Sequence, residues 1–278
     1  MAPRRLRLTG PHRIETGTEQ ILARLEDRVA VLTLNRPEAR NALTWEMKEA
    51  LVEILGRLAS DPKVGCVLVT GEGQGFCAGG DTKRMQSDGR PPSFEERVRR
   101  LRAEHEIPWQ LHTMEKPTLV ALRGAAAGAG LGIALAADLR VAAESAFVTT
   151  SYARLGLSGD YGSSWFLTRL VGPAKARELF YTADRVDARE CARLGLVNLV
   201  VPDAELEQAA FDRARRIAAG PPVALRYMKD NLNRALEHGL RECLDVEAER
   251  MVQGAMTEDY LEAVAAFAEK RTPVFKGR

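Results

Sequence analysis

The stretch TLVALRGAAAGAGLGIALAADLRVA, residues 118–142, contains a complete strand–turn–helix–strand unit. The apolar run Thr118–Leu122 predicts a buried strand, because it is short and flanked by turn residues. Glycines and alanines follow from Gly124 to Gly130, and an apolar helix is then expected to extend to about Ala137. A second strand is predicted at Leu139–Ala142. Strands that alternate with helices in this way indicate an α/β fold.

The sequence on the N-terminal side of this unit repeats the alternation. Two strands, Ile21–Leu25 and Val29–Leu34, flank a short polar turn and predict a hairpin. Residues 44–59 have apolar side chains at helical spacing, with Thr44 as an N-cap. A buried strand is expected at Cys66–Thr70 and a further helix over residues 91–115.

Three regions are predicted along the chain. Residues 1–19 carry little pattern and are expected to form a loose N-terminal extension. Residues 20–201 form the α/β core. Residues 202–278 contain almost no strand signal and predict a C-terminal region of amphipathic helices.

Composition limits the possible partners and compartment. The 278 residues are 45% hydrophobic and 28% charged, with a net charge of +2, which gives no argument for a nucleic-acid partner. Every apolar stretch falls short of the roughly 20 residues of a membrane span. The four cysteines lack paired spacing, so reduced thiols and a cytoplasmic location are expected. The four histidines lack metal-ligand spacing, and His105 and His112 are expected at a solvated or core-edge position.

Two glycine-rich elbows are the candidate sites of chemistry. One is GFCAGGD, residues 75–81, and the other spans Gly124 to Gly132. Small side chains let a substrate approach the main chain, and N–H groups at a helix start can hold an oxygen that gains negative charge. The alternative is that small residues only permit close packing of helix on strand. A dinucleotide fingerprint lacks its spacing here, and a P-loop lacks its Gly-Lys-Ser/Thr.

A series of short motifs resembles the crotonase superfamily, the enoyl-CoA hydratases and isomerases. In order, they are LNRP (34–37), NAL (41–43), GFCAGGD (75–81), AD (137–138), LGL (155–157), RLVG (169–172), ARLGLV (192–197) and VVP (200–202). The similarity runs from about residue 20 to the C-terminus. It implies a crotonase-like spiral of ββα repeats with a C-terminal helical trimerisation region, assembled as a homotrimer or a dimer of trimers.

The resemblance also implies a site for an acyl-CoA thioester, with coenzyme A as part of the substrate and no other cofactor or metal. The oxyanion N–H groups would belong to Gly80 and Ala129. Phe267 and Lys270 resemble residues that approach the pantetheine–adenine region, often across a subunit boundary. The remaining residues expected to bind coenzyme A are Arg36, Ala39, Asn41, Ala42, Ala78, Asp81, Thr82 and Lys83.

The reaction is less closely defined by the resemblance. Hydratases of the superfamily use two glutamates, and Gly132 and Tyr152 stand at their two places. Asp160 resembles the aspartate of the epoxide and dienoyl-CoA isomerases and of the related dehalogenases. It predicts an isomerase-type proton transfer beside the oxyanion hole. The alternative role for Asp160 is to cap a helix that begins near Gly162.

The acyl pocket is expected to include Tyr152, Gly132 and Trp165. Lining the pocket is favoured for Tyr152 over donating a hydrogen bond, and Trp165 is also compatible with a core position. Three other functions stay open. They are an enoyl-CoA hydratase (a lyase) with non-standard acid and base residues, a thioester hydrolase or dehalogenase, and a non-catalytic acyl-CoA-binding paralogue.

Overall fold

A computed structural model describes residues 11–81 and 93–278 of the chain. The strands are β1 (His12–Ile14), β2 (Ile21–Glu26), β3 (Val29–Leu34), β4 (Cys66–Gly71), β5 (Thr118–Leu122), β6 (Ala125–Ala127), β7 (Leu139–Ala143), β8 (Phe147–Thr149), β9 (Val186–Asp187) and β10 (Leu199–Val201). The helices are α1 (Trp45–Ser60), α2 (Phe94–Glu104), α3 (Glu106–Thr113), α4 (Ala129–Ala136), α5 (Ser163–Thr182), α6 (Ala188–Arg193), α7 (Leu206–Ala218), α8 (Pro222–Arg234), α9 (Leu240–Ala255) and α10 (Glu258–Ala268).

The strands of the described residues form two sheets. The larger sheet has the order β1-β2-β3-β4-β5-β7-β10, antiparallel from β1 to β3 and parallel from β3 onward. The smaller sheet has the order β6-β8-β9. The smaller sheet forms a second layer, and two single β-bridges, Leu43 to Gly80 and Cys77 to Ala126, extend it. Successive turns of the chain thus contribute to both layers, which is the spiral of ββα turns that the sequence predicted.

Both faces of the larger sheet are buried, as expected for parallel strands. Along β3, Ala30, Leu32 and Leu34 join the core shared with α1 and α4, whereas Val29 and Val31 face α7. Alanines at 210, 214 and 218 are spaced four apart on α7 and let this helix approach the sheet closely. The helical region predicted from residue 202 therefore begins with a helix that belongs to the sheet core.

Most predicted elements are confirmed, and α1 is the clearest case. Its N-cap is Thr44, whose hydroxyl accepts a hydrogen bond from the Met47 N–H at 3.1 Å. The buried residues of α1 recur every three or four positions, as the predicted helix required.

Two predictions about the elements are wrong. The extension over residues 1–19 is not loose throughout, because His12–Ile14 pairs with β2 as an edge strand. The helix predicted over residues 91–115 is two helices, α2 and α3, which meet at His105. Pro108 lies in the first turn of α3, where it cannot donate a hydrogen bond back to Glu104.

A buried ion pair fixes α8 to the body of the chain. The Lys229 ammonium lies 3.0 Å from the Asp138 carboxylate and also donates to the Leu111 and Lys116 carbonyl oxygens. Asp138 accepts from the Thr118 N–H at 2.7 Å, at the start of β5. Within the described ranges, no helix is both long and apolar enough to cross a membrane.

Replacing Lys229 with methionine should destabilise the protein by about 2–3 kcal/mol, because the half-buried Asp138 carboxylate would lose its cation. Urea denaturation of the variant measures this loss. The control is Arg226→Met on the same helix, which breaks an exposed pair with Glu115 and should cost less than about 0.5 kcal/mol. Equal losses in the two variants would contradict the role given to Lys229.

Candidate active site

The two glycine-rich elbows lie side by side. The Cys77 N–H donates to the Ala125 carbonyl oxygen at 2.9 Å, and the Ala127 N–H donates to the Cys77 carbonyl oxygen at 2.9 Å. Gly79 has φ 97°, and a Cβ added there would lie 3.0 Å from the Ala127 carbonyl oxygen and 3.7 Å from the Ala129 nitrogen. Glycine at 79 therefore lets the first elbow approach the start of α4.

The Gly80 and Ala129 N–H groups are both left for a ligand. Gly80 forms a parallel β-bridge with Leu43 in which its two neighbours make the hydrogen bonds. The Leu43 N–H donates to the Gly79 carbonyl oxygen, and the Asp81 N–H donates to the Leu43 carbonyl oxygen. The Gly80 N–H consequently faces away from this bridge. Ala129 is the first residue of α4, where an N–H has no partner within the helix. Within the described chain, no hydrogen bond occupies either group.

The loop from Arg36 to Ala42 is held against the first elbow by Asn41. This side chain is fully buried. Its amide nitrogen donates to the Gly75 and Glu72 carbonyl oxygens at 2.7 and 3.0 Å, and its oxygen accepts from the Arg36 N–H at 2.8 Å. Asn41 thus fixes the shape of the loop, a role that the sequence could not distinguish from ligand contact.

The other residues expected to bind coenzyme A also meet at this loop. Arg36 donates to the Ala42 carbonyl oxygen at 2.6 Å and lies 3.1 Å from the Asp81 carboxylate. The Ala78 N–H donates to the Arg40 carbonyl oxygen at 3.0 Å. Ala39 forms the short 3-10 turn of the loop with Pro37. Thr82 and Lys83, which were predicted beside them, lie outside the described residues.

Asp160 is half-buried in the loop before α5. Its Oδ1 atom accepts a hydrogen bond from the Tyr152 hydroxyl at 2.8 Å. The same hydroxyl lies 3.1 Å from Oγ of Ser163, which donates to the Asp160 main-chain oxygen at 2.9 Å. The carboxylate and its backbone are therefore both anchored.

These contacts bear on two readings of this loop from the sequence. The Asp160 side chain does not cap α5, since the N-cap is Gly162 and no side chain bonds there. Tyr152 donates a hydrogen bond to Asp160, and the pocket-lining role favoured for it stays a prediction. Its ring is buried and stacks on Phe180 with centroids 5.9 Å apart. Burial and the neighbouring Asp160 raise the pKa of the Tyr152 phenol, so it stays protonated as a donor.

Gly132 lies behind Tyr161 and does not form an open wall of a pocket. A Cβ at this position would lie 2.5 Å from Cβ and 2.8 Å from the carbonyl oxygen of Tyr161. The place that a hydratase-type glutamate would take is thus filled by another part of the chain. Trp165 packs at the core edge, with its ring 5.1 Å from that of His112 and the Arg169 guanidinium 3.8 Å above it.

Tyr161 and His105 make a second set of contacts that hold the Asp160 loop, and the sequence did not indicate this. The Tyr161 N–H donates to Nε2 of His105 at 3.3 Å, and its hydroxyl donates to Glu104 at 3.2 Å. Glu104 in turn pairs with Lys48 at 2.8 Å. Burial beside Glu104 raises the pKa of the Tyr161 phenol well above its usual value. These residues are far apart in sequence, and no motif links them.

Phe267 and Lys270 lie at the end of α10, and the Phe267 ring is 88% exposed. In the part of the chain that the structure describes, neither makes a hydrogen bond or ion pair with the loop from Arg36 to Ala42. Within residues 11–81 and 93–278, no cluster of three histidine, cysteine, aspartate or glutamate side chains is placed to hold a metal ion.

The fold brings two elbows together with two N–H groups that make no hydrogen bond among the described residues, an arrangement that could hold an oxygen as it gains negative charge. The family model for enoyl-CoA hydratase/isomerase matches residues 24–278. The chain belongs to this family, and it is an enzyme of the family.

Individual relatives carry different activities. The 1,2-epoxyphenylacetyl-CoA isomerase of Escherichia coli is 35% identical over 94% of this chain and 99% of its own length. The short-chain-enoyl-CoA hydratase of Clostridium acetobutylicum is 34% identical over 90% of this chain and 95% of its own. An enoyl-CoA hydratase structure from Polaromonas sp. JS666 superposes with a TM-score of 0.87 and 37% identity, covering 92% of this chain and 99% of that one.

Adding a methyl group at Gly132 should disrupt the Asp160 loop. The Gly132→Ala variant is expected to lose about 3 kcal/mol of stability, because the new Cβ would overlap the main-chain oxygen as well as the Cβ of the buried Tyr161, so the backbone would have to shift. The matched control is Gly56→Ala in α1, where a Cβ would meet only Gln110 Oε1 at 3.8 Å. The control should change stability by less than about 1 kcal/mol, in the stabilising direction. Thermal and urea unfolding measure both changes, and a Gly132→Ala protein as stable as the control would contradict the packing argument.

Proposed function

We propose that the protein is an acyl-CoA isomerase that moves a proton along the acyl chain of a thioester substrate through an enolate. The observation that carries this proposal is the set of side chains around the second elbow. Position 132 has no space for a carboxylate, position 152 is an un-ionised phenol, and Asp160 is the carboxylate that Tyr152 holds. A single carboxylate beside an oxyanion hole suits the removal and return of one proton.

The chemistry follows from the two free N–H groups. The thioester oxygen would accept hydrogen bonds from Gly80 and Ala129, which stabilise the negative charge that develops when a proton leaves the acyl carbon. Asp160 would take that proton and return it to another carbon of the conjugated chain. The electron pair moves with the double bond, so atoms and charge balance without added water. Each group is fixed before the substrate binds, which avoids reorganisation during the reaction.

Coenzyme A would bind at the loop from Arg36 to Ala42 and at Ala78. The Arg36–Asp81 pair and the Asn41 hydrogen bonds supply the rigidity of this loop. Because both partners of the Arg36–Asp81 pair are largely buried, we assign them to shaping the loop rather than to neutralising phosphates. The coenzyme belongs to the substrate, and the proposal requires no resident cofactor.

Hydration of an enoyl-CoA is the second candidate, and the hydratase named among the relatives favours it. It would need an acid–base pair other than two glutamates at positions 132 and 152. A binding paralogue without catalysis has no need of a carboxylate aligned beside an oxyanion hole, so it ranks third. Thioester hydrolysis or dehalogenation would use the same groups on another substrate.

The decisive variant is Asp160→Asn. Wild type and variant would be incubated in deuterated water with 2-enoyl-, 3-enoyl- and ring-containing CoA thioesters. We expect deuterium uptake or double-bond migration without a gain of water, slowed by about 10²-fold or more in the variant because the proton acceptor is lost. Mass spectrometry follows both products.

The control for this experiment is Asp184→Asn, which changes an exposed aspartate in the same way and should keep the wild-type rate. A water adduct that forms equally fast in Asp160→Asn would reject the isomerase and favour the hydratase. CoA esters that bind without any reaction across the panel would reject catalysis at this site for those substrates.

We also propose that α8, α9 and α10 pack against other copies of the chain in a trimer or a dimer of trimers. These helices expose many large apolar side chains, which a monomer would leave in water. They include Met228, Leu232, Leu240, Met251, Val252, Met256, Leu261, Val264 and Phe267. Assembly would also allow Phe267 and Lys270 to approach the coenzyme loop of a neighbouring subunit.

Charges placed on this surface should dissociate the assembly. The double variant Met251→Glu and Leu261→Glu, at side chains 75% and 66% exposed, is expected to shift sedimentation velocity from the oligomer to the monomer. Tyr181→Glu on α5, at a side chain that is 75% exposed, serves as the control and should remain oligomeric. A wild-type protein that sediments as a monomer at micromolar concentration would reject the proposed assembly.

A further inference from the structure

We infer that Tyr152 is the positioning residue of the reaction, which holds Oδ1 of Asp160 and thereby reserves Oδ2 for proton transfer. The inference rests on the proposed function, because it assigns a partner to the proton-carrying carboxylate. Among the described residues, the Tyr152 hydroxyl makes the only hydrogen bond to that carboxylate. Within residues 11–81 and 93–278, no donor bonds to Oδ2, and we assign this oxygen to the substrate.

Several contacts hold Tyr152 in place, as a positioning role requires. Its side chain is buried, and its ring stacks on Phe180 nearly in parallel, at 17°. Its carbonyl oxygen accepts from the Leu155 and Leu157 N–H groups at 2.9 and 3.0 Å. One ring carbon lies 3.8 Å from where a Cβ of Gly128 would stand. The ring therefore lies directly beside the residue that precedes the Ala129 N–H.

The hydroxyl proton of Tyr152 has three possible acceptors, and the distances choose among them. Oδ1 of Asp160 lies at 2.8 Å, Oγ of Ser163 at 3.1 Å and the main-chain oxygen of Asp160 at 3.3 Å. The shortest contact is also the one to a charged acceptor, which forms the strongest hydrogen bond. Ser163 in turn donates to the Asp160 main-chain oxygen at 2.9 Å, so its own proton is directed to the backbone.

The two carboxylate oxygens would therefore have different roles. A donor on Oδ1 restricts rotation about the Asp160 side-chain bonds and so fixes the direction of Oδ2. The phenol itself is not the base, because burial keeps it protonated. Removing the hydroxyl should therefore weaken the reaction through poorer alignment of Oδ2.

The test is Tyr152→Phe, which keeps the ring and removes only the hydroxyl. We expect kcat to fall by about 10- to 10²-fold with little change in KM, because the proton acceptor is less well aligned while binding is kept. Tyr161→Phe is the matched control, since its buried hydroxyl bonds to Glu104 and not to Asp160. It should lower kcat by less than Tyr152→Phe does. Equal losses in the two variants, or a loss that appears mainly in KM, would indicate a purely structural role for Tyr152.

A double-mutant comparison separates this inference from the proposed function. In the Asp160→Asn background, adding Tyr152→Phe should cost less than about threefold, because the carboxylate it serves is already absent. Full activity in Asp160→Asn would reject the proposed function and, with it, this role of Tyr152. If Asp160→Asn is inactive but Tyr152→Phe has wild-type kcat and KM, the role of Tyr152 alone is rejected.

A second substitution tests the same hydrogen bond without removing it. Site-specific 3-fluorotyrosine at position 152 keeps both the ring and the hydroxyl donor. It should keep kcat within about threefold of wild type, in contrast to Tyr152→Phe. A loss of about 10-fold or more with 3-fluorotyrosine in a folded protein would overturn the inference even if Tyr152→Phe fails to fold.

Discussion

The bridge between Cys77 and Ala126 is the interaction on which the rest of the site depends. Two main-chain hydrogen bonds of 2.9 Å join elbows that lie about fifty residues apart in sequence. Once they are joined, the first elbow lies against the start of α4, where a Cβ on Gly79 would be 3.7 Å from the Ala129 nitrogen, and the first turn of α4 supplies a partial positive charge there. Because the contacts are between backbones, they tolerate changes of side chain but require small residues at the crossing.

Under the proposed function, backbone and side chains have separate tasks. The backbone N–H groups would polarise the thioester oxygen, as any reaction through an enolate requires. Side chains on the loop before α5 would direct the proton, and they are Asp160 and its partner Tyr152. Tyr161 and His105 make further contacts with this loop.

Local patterns in the sequence predicted the elements well, because periodicity and capping act over a few residues. The hairpin, α1 with its Thr44 cap and the small-residue elbows could all be predicted in this way. Strand β1 was missed because an edge strand of three residues shows no alternation. The Tyr152–Asp160 and Tyr161–His105 contacts could not be predicted, since they depend on how separate loops and helices pack in three dimensions. The resemblance to a family located Asp160, but not its partners.

The packing of Gly132 against Tyr161 has a consequence for how such a sequence can diverge. A new side chain at 132 meets both the Cβ and the main-chain oxygen of Tyr161, so replacing the tyrosine alone would not open the space. The backbone of the loop that carries Asp160 would therefore have to change its path before a carboxylate side chain could be accommodated at position 132. An ancestral or descendant enzyme with a glutamate at 132 is thus separated from this one by a change in loop path, and not by a single codon.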